Sequence, residues 1–75
     1  MVPYLNLSGN SGVVAYELHS SSIVVEFQDG WKYEYTFRSA GTAAVGKMEE
    51  LAGTGRGLST FISQHVRKAY ARKFR

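Results

Sequence analysis

The sequence predicts an α+β domain in which a three-stranded antiparallel β-meander packs against two C-terminal helices, in the order β-β-β-α-α. Three observations predict it. Trp31, Tyr33, Tyr35 and Phe37 alternate with Lys32, Glu34, Thr36 and Arg38, which is the period of two of a half-buried strand. Two further apolar runs, 13–18 and 22–28, lie upstream with polar, turn-forming residues between them. Beyond Gly41 the period lengthens to that of a helix, first through Val45, Met48, Leu51 and Ala52, then through Leu58, Phe61, Ile62, His65, Val66, Ala69 and Tyr70.

Residues 1–12 read as a flexible N-terminal arm, because Pro3, Ser8, Gly9, Asn10, Ser11 and Gly12 favour turns over a committed ladder. The single domain then spans 13–75. In the first strand Val14, Tyr16 and Leu18 are expected to face the core, with Ala15 and Glu17 outside. His19-Ser20-Ser21 makes a hairpin loop. The β-branched second strand turns Ile23, Val25 and Phe27 inward. Asp29-Gly30 then suits a two-residue turn with positive φ at both positions, and all four rings of the third strand are expected in the core. Thr42 is a fair N-cap for a helix over 43–52 of about three turns. Gly53-Thr54-Gly55-Arg56-Gly57 breaks it, and a last helix is expected from Leu58 or Ser59 to the C-terminus.

With 75 residues the chain makes one small domain, which buries a modest share of its surface and is marginally stable alone. It has no cysteine, so neither disulfides nor a thiolate metal cage can staple it. No apolar run approaches the roughly 20 residues of a membrane span. Met1-Val2-Pro3-Tyr4-Leu5-Asn6 lacks the basic start and apolar run of a secretory signal. The expectation is a cytoplasmic protein.

Charge is unevenly laid out. Residues 1–55 hold three cations against six acids, whereas 56–75 hold Arg56, Arg67, Lys68, Arg72, Lys73 and Arg75 and no acid, so a net −3 is followed by +6. Such a segment attracts anions, and phosphate neutralisation is its functional reading. The plainer reading is a solvated outer face whose cations suit the negative end of a helix dipole. For the aromatic strand, core is the stronger reading and a base-stacking platform the weaker, since large contiguous ring area is seldom left exposed. Tyr33 and Tyr35 hydroxyls are expected to find partners at the core edge. The Gly-rich link lacks the Lys-Ser/Thr of a P-loop and reads as a hinge, with Arg56 and Ser59 as a candidate single-phosphate site. His19 and His65 stand far apart with no acidic cluster, so no metal site is expected. Adjacent Glu49 and Glu50 splay apart on a helix and make a poor catalytic pair, and no nucleophile motif surrounds any Ser or Thr.

The order of motifs resembles the KTSC domain, a family of short bacterial or phage proteins that also forms tails on some lysyl-tRNA synthetases. The matching residues are Val13-Val14-Ala15-Tyr16, Ile23 to Gly30, Tyr33-Glu34-Tyr35, Leu51 to Ser59, and Ile62 with Val66-Arg67-Lys68-Ala69-Tyr70. They span about residues 11–70. Where the family has Val-Pro after its third strand this chain has Phe37-Arg38-Ser39-Ala40-Gly41, and Gly57-Leu58 stands where an aromatic starts the last helix. The resemblance implies no enzyme activity, and the synthetase tails suggest RNA.

The reading is therefore a non-catalytic binding module that needs no cofactor and acts on no small-molecule substrate. It contacts RNA or another nucleic acid through Arg56, Arg67, Lys68, Arg72, Lys73 and Arg75. The alternative is a protein-interaction or self-assembling module, a homodimer included. A basic helix lying on an anionic membrane is disfavoured because its apolar stripe is needed to cover the sheet.

Overall fold

A computed structural model describes residues 1–9 and 11–75; Asn10, expected to be part of the arm, lies outside the described residues. Among the described residues five antiparallel strands form one sheet in which sequence neighbours are spatial neighbours: β1 (Val2–Pro3), β2 (Val13–Leu18), β3 (Ser22–Phe27), β4 (Lys32–Thr36) and β5 (Arg72–Phe74). Between β4 and β5 come α1 (Phe37–Ala40), α2 (Thr42–Thr54) and α3 (Leu58–Phe61), the last continuing into a π-helical turn over Ile62–Val66. The α+β class is as expected, but the meander has five strands where three were read.

β3 is the centre of the sheet. Ile23 and Val25 pair with Leu18 and Tyr16 on one side and with Tyr35 and Tyr33 on the other. Their face meets Val45, Met48 and Ala52 of α2 together with Leu58, Ile62 and Val66, all buried. The helical face read from Val45, Met48, Leu51 and Ala52 is the packed one, with Leu51 at its margin. Truncating a wholly buried side chain here, such as Met48, removes packing worth about 2–5 kcal/mol.

Several local expectations are corrected. In β2 the register slips by one residue between Val13 and Ala15. This bulge rotates Val13 into the core, 1% exposed, and leaves Val14 40% exposed. The Asp29-Gly30 turn has positive φ at Gly30 alone. Phe27 N–H donates to the Trp31 carbonyl and Gly30 N–H to that of Phe27, so the loop holds three residues rather than two. Of the four alternating rings only Tyr35 is fully buried. Tyr33 is half-buried and Trp31 precedes the strand. Phe37 is exposed because Thr36 and Ser39 cap each other and start α1. Gly41, not Thr42, is the N-cap of α2, whose first residue is Thr42.

Both chain ends differ more. The expected arm pairs Val2 and Pro3 with Tyr16 and Ala15, and its Tyr4 ring enters the core at 6% exposure. There the Tyr4 hydroxyl accepts the Leu58 N–H at 3.3 Å, while Leu7 N–H donates to the Gly55 carbonyl at 2.8 Å. An isolated ring among turn formers finds more apolar contact under the sheet than in water, and the chain follows it. The last helix stops at Val66. Ala71 N–H donates to the Glu34 carbonyl, and Arg72, Lys73 and Phe74 pair with Glu34, Tyr33 and Lys32. Helix continuation would have left those β4 backbone groups without ladder partners, a cost that strand pairing removes.

The link between α2 and α3 has one position with no room for a side chain. Gly55 has φ +76, and a Cβ there would sit 2.7 Å from Leu5 Cβ. Gly55→Ala should therefore destabilise by at least the 1–2 kcal/mol, roughly, that left-handed backbone costs a non-glycine residue. Gly53→Ala, in open space within α2, should be neutral or stabilising by up to about 1 kcal/mol. Urea denaturation of the two variants separates these outcomes.

Candidate nucleic-acid interface

The six basic residues, expected mostly along one helix, lie on three different elements. Arg56 is exposed in the link between α2 and α3, Arg67 and Lys68 form the turn after the π-helical segment, and Arg72, Lys73 and Arg75 belong to β5 and the residue after it. A helix-dipole account of the last three does not apply.

Strand alternation divides β5. Arg72 faces outward on the sheet surface away from the helices and donates its Nε–H to Glu34 Oε1 at 2.7 Å, with its guanidinium 4.5 Å from the Phe74 ring. Lys73 lies toward the ring side, its Nζ 4.8 Å from the Trp31 ring centre and 5.6 Å from that of Tyr33. Arg75 places its guanidinium 4.7 Å from the same Trp31 ring and donates to the Asp29 carbonyl at 3.4 Å. Each such cation–π contact is worth about 0.5–1 kcal/mol at an exposed site, enough to hold the cation in place without neutralising it.

Arg67 approaches the same hairpin from the helical layer. An open cleft of about 320 Å³ separates the β3–β4 hairpin from α3 and the π-helical turn. Phe27, Tyr33, Tyr35 and Ile62 give it apolar walls, and Asp29, Ser59, Ser63 and Arg67 supply its polar groups. The structure thus brings Arg67, Lys73 and Arg75 around one hairpin. Among the described residues no hydrogen bond, ion pair or ring contact joins Arg56 to them, and Arg56 lines neither cleft that Ser59 borders.

The aromatic cluster beneath is built edge to face: Phe27 on Tyr33 at 5.3 Å, and Tyr70 on Tyr33 and Tyr35 at 5.0 and 6.4 Å. The ring face therefore is core, but its margin opens into the cleft. Tyr35 is 1% exposed, and burial pushes its hydroxyl pKa well up. Among the described residues no group hydrogen-bonds that hydroxyl, and no fully enclosed side-chain oxygen lacks a partner. The partner expected for it at the core edge is not found among the described residues, and Tyr35 itself lines the cleft. The two histidines stay apart: His19 bonds Glu17 at 3.1 Å and His65 stacks on Phe61 at 4.6 Å.

Among the described residues, Arg72 is the one cation of the six with an acidic partner. Its hydrogen bond holds the Glu34 carboxyl below the ordinary range, assisted by the Ser22 hydroxyl at 3.0 Å and opposed by partial burial. A depressed carboxyl stabilises the fold above its unfolded pKa, and the contribution is lost as pH falls through the folded value. Arg72→Gln should raise the Glu34 pKa in a carbon-detected NMR titration. It should cost less than about 1 kcal/mol near neutrality, the pair being half in water, and the penalty should shrink in acid. No family model matches the chain, and neither does a curated protein or a solved structure.

Proposed function

We propose that this protein is a small non-catalytic module that binds RNA or another nucleic acid through the cations of its C-terminal segment. One observation carries the reading. Arg67, Lys73 and Arg75 converge on the hairpin bearing Trp31 and Tyr33, and none has an acidic partner among the described residues. The Asp29 carboxylate, the acid of that hairpin's turn, accepts the Trp31 N–H at 3.0 Å. Unpaired cations beside aromatic surface are what a flexible polyanion with stacking bases requires. The likeness of the motif order to KTSC domains, with their occurrence on synthetase tails, points the same way, and a cytoplasmic location belongs to the same proposal. Among the described residues no helix is long and apolar enough to cross a membrane.

The rival, self-association, rests on a different surface. Met1, Val2, Leu5, Leu7 and Val14 are exposed along the N-terminal side. Edge-to-edge pairing is poorly served, because β1 has two residues and ends in Pro3 while β5 presents Arg72 and Lys73. Light scattering at micromolar concentration reads this directly: a stable dimer that ignores nucleic acid favours the rival.

The test is fluorescence anisotropy with labelled tRNA, single-stranded RNA and duplex DNA at low and near-physiological salt. Binding should fall steeply with salt. Replacing Arg67, Lys68, Arg72 and Lys73 by Gln should weaken it and flatten the slope by about 0.7 for each single-strand phosphate no longer neutralised. Unchanged affinity in that variant refutes the proposal.

A further inference from the structure

We infer that the cleft between the β3–β4 hairpin and the last helix is a site for one unstacked nucleotide, its base against Tyr33, Phe27 and Ile62 and its phosphate on Arg67. The inference rests on the nucleic-acid reading and narrows it from a charged surface to a pocket.

Size comes first. A cleft of about 320 Å³ is at the small end of the range, about 300–1,000 Å³, in which proteins enclose small ligands. It suits one planar ring with a substituent and not a pair of stacked bases. Its chemistry is divided in the way a nucleotide is divided. Rings and Ile62 provide apolar walls, Arg67 is the single cation in the lining, and Ser59 and Ser63 add hydroxyls that donate to phosphate or sugar oxygens.

Two polar groups then select among anionic aromatic ligands. Tyr35 is only 1% exposed and lines the cleft, and no hydrogen bond joins its hydroxyl to another group among the described residues. A hydroxyl in that position donates to a ligand acceptor such as a base carbonyl or ring nitrogen as readily as to water. Its raised pKa keeps it a donor at neutral and alkaline pH. Asp29 is the one acid in the lining, and its Oδ1 already takes the Trp31 N–H. A phosphorylated phenyl ring offers a carboxylate no N–H. The amino and imino groups of a nucleobase do. In a duplex those edges are paired and the base is stacked, so the occupant is a free mononucleotide or a nucleotide splayed from a single strand.

The experiment is a two-dimensional amide NMR titration of the full chain with guanosine, adenosine, cytidine and uridine 5′-monophosphates. Controls are inorganic phosphate, the unphosphorylated nucleosides and phenyl phosphate. The amides of Tyr33, Tyr35, Ile62 and Ser63 should shift with at least one mononucleotide, and phosphate alone should leave the hairpin unmoved. Tyr35→Phe keeps the core ring and should weaken mononucleotide binding about fivefold, the effect of one missing hydrogen bond. Arg67→Gln should weaken it roughly tenfold while leaving nucleoside binding unchanged. Single-stranded RNA titrated onto both variants distinguishes the sources. Weakening there in parallel supports a strand-borne nucleotide, and mononucleotide shifts without salt-dependent RNA binding retain the pocket while removing the broader function. The inference is overturned if phenyl phosphate or inorganic phosphate binds as tightly as every mononucleotide. It is equally overturned if RNA binds normally while no mononucleotide shifts the cleft and Tyr35→Phe changes nothing.

Discussion

β4 is paired along both edges, with β3 on one side and the returning C-terminus on the other, and the surface chemistry depends on the second pairing. Glu34 connects the two. Its carbonyl accepts the Ala71 N–H, and its carboxylate holds Arg72 at 2.7 Å while accepting the Ser22 hydroxyl from β3. Once that ladder forms, alternation sends Lys73 toward the rings and Arg72 away from them. Tyr70 is set edge-on to Tyr33 and Tyr35, and Arg75 reaches Asp29. A basic tail that could have been a solvated helix end becomes part of a layered site.

The forces behind this arrangement are modest individually. The surface ion pair is worth less than about 1 kcal/mol, and each cation–π contact about as much. Edge-to-face ring pairs add about 0.5–1.5 kcal/mol each beyond their buried area. They cooperate because they share residues: Tyr33 touches Phe27, Tyr70 and Lys73 at once. The N-terminal segment closes the opposite side in a similar way, with Tyr4 buried against Leu58 and Leu5 packed on Gly55. Neither chain end is an appendage.

The middle of the chain was legible because its signals are local. Alternation over β3 and β4 and the apolar face of α2 follow from residue spacing, and the packed side of each is the one the spacing indicates. The bulge at Val13–Val14 was not legible, since either phase of that run buries valine. The end of the last helix was hidden for a different reason. Leu58 to Tyr70 satisfies a helical stripe throughout, and the alternative appears only when an unpaired edge of β4, far back in the sequence, is near enough to pair. The basic residues were visible as a class, but Arg67 shares a cleft with Asp29 and Tyr33 only through the folded hairpin. That the Tyr35 hydroxyl has no partner among the described residues could not be read from a Tyr-x-Tyr pattern that equally suits a satisfied core edge.

The layered arrangement exists only if Arg72–Phe74 pair with β4. Backbone nuclear Overhauser contacts and Cα shifts of the isotope-labelled protein report this without any ligand. The structure requires cross-strand contacts between Glu34 and Arg72, between Tyr33 and Lys73 and between Lys32 and Phe74, with extended shifts over Arg72–Phe74. Sequential amide–amide contacts and helical shifts running unbroken from Leu58 through Arg75 would contradict it, and would return the cations to a helix face away from the hairpin.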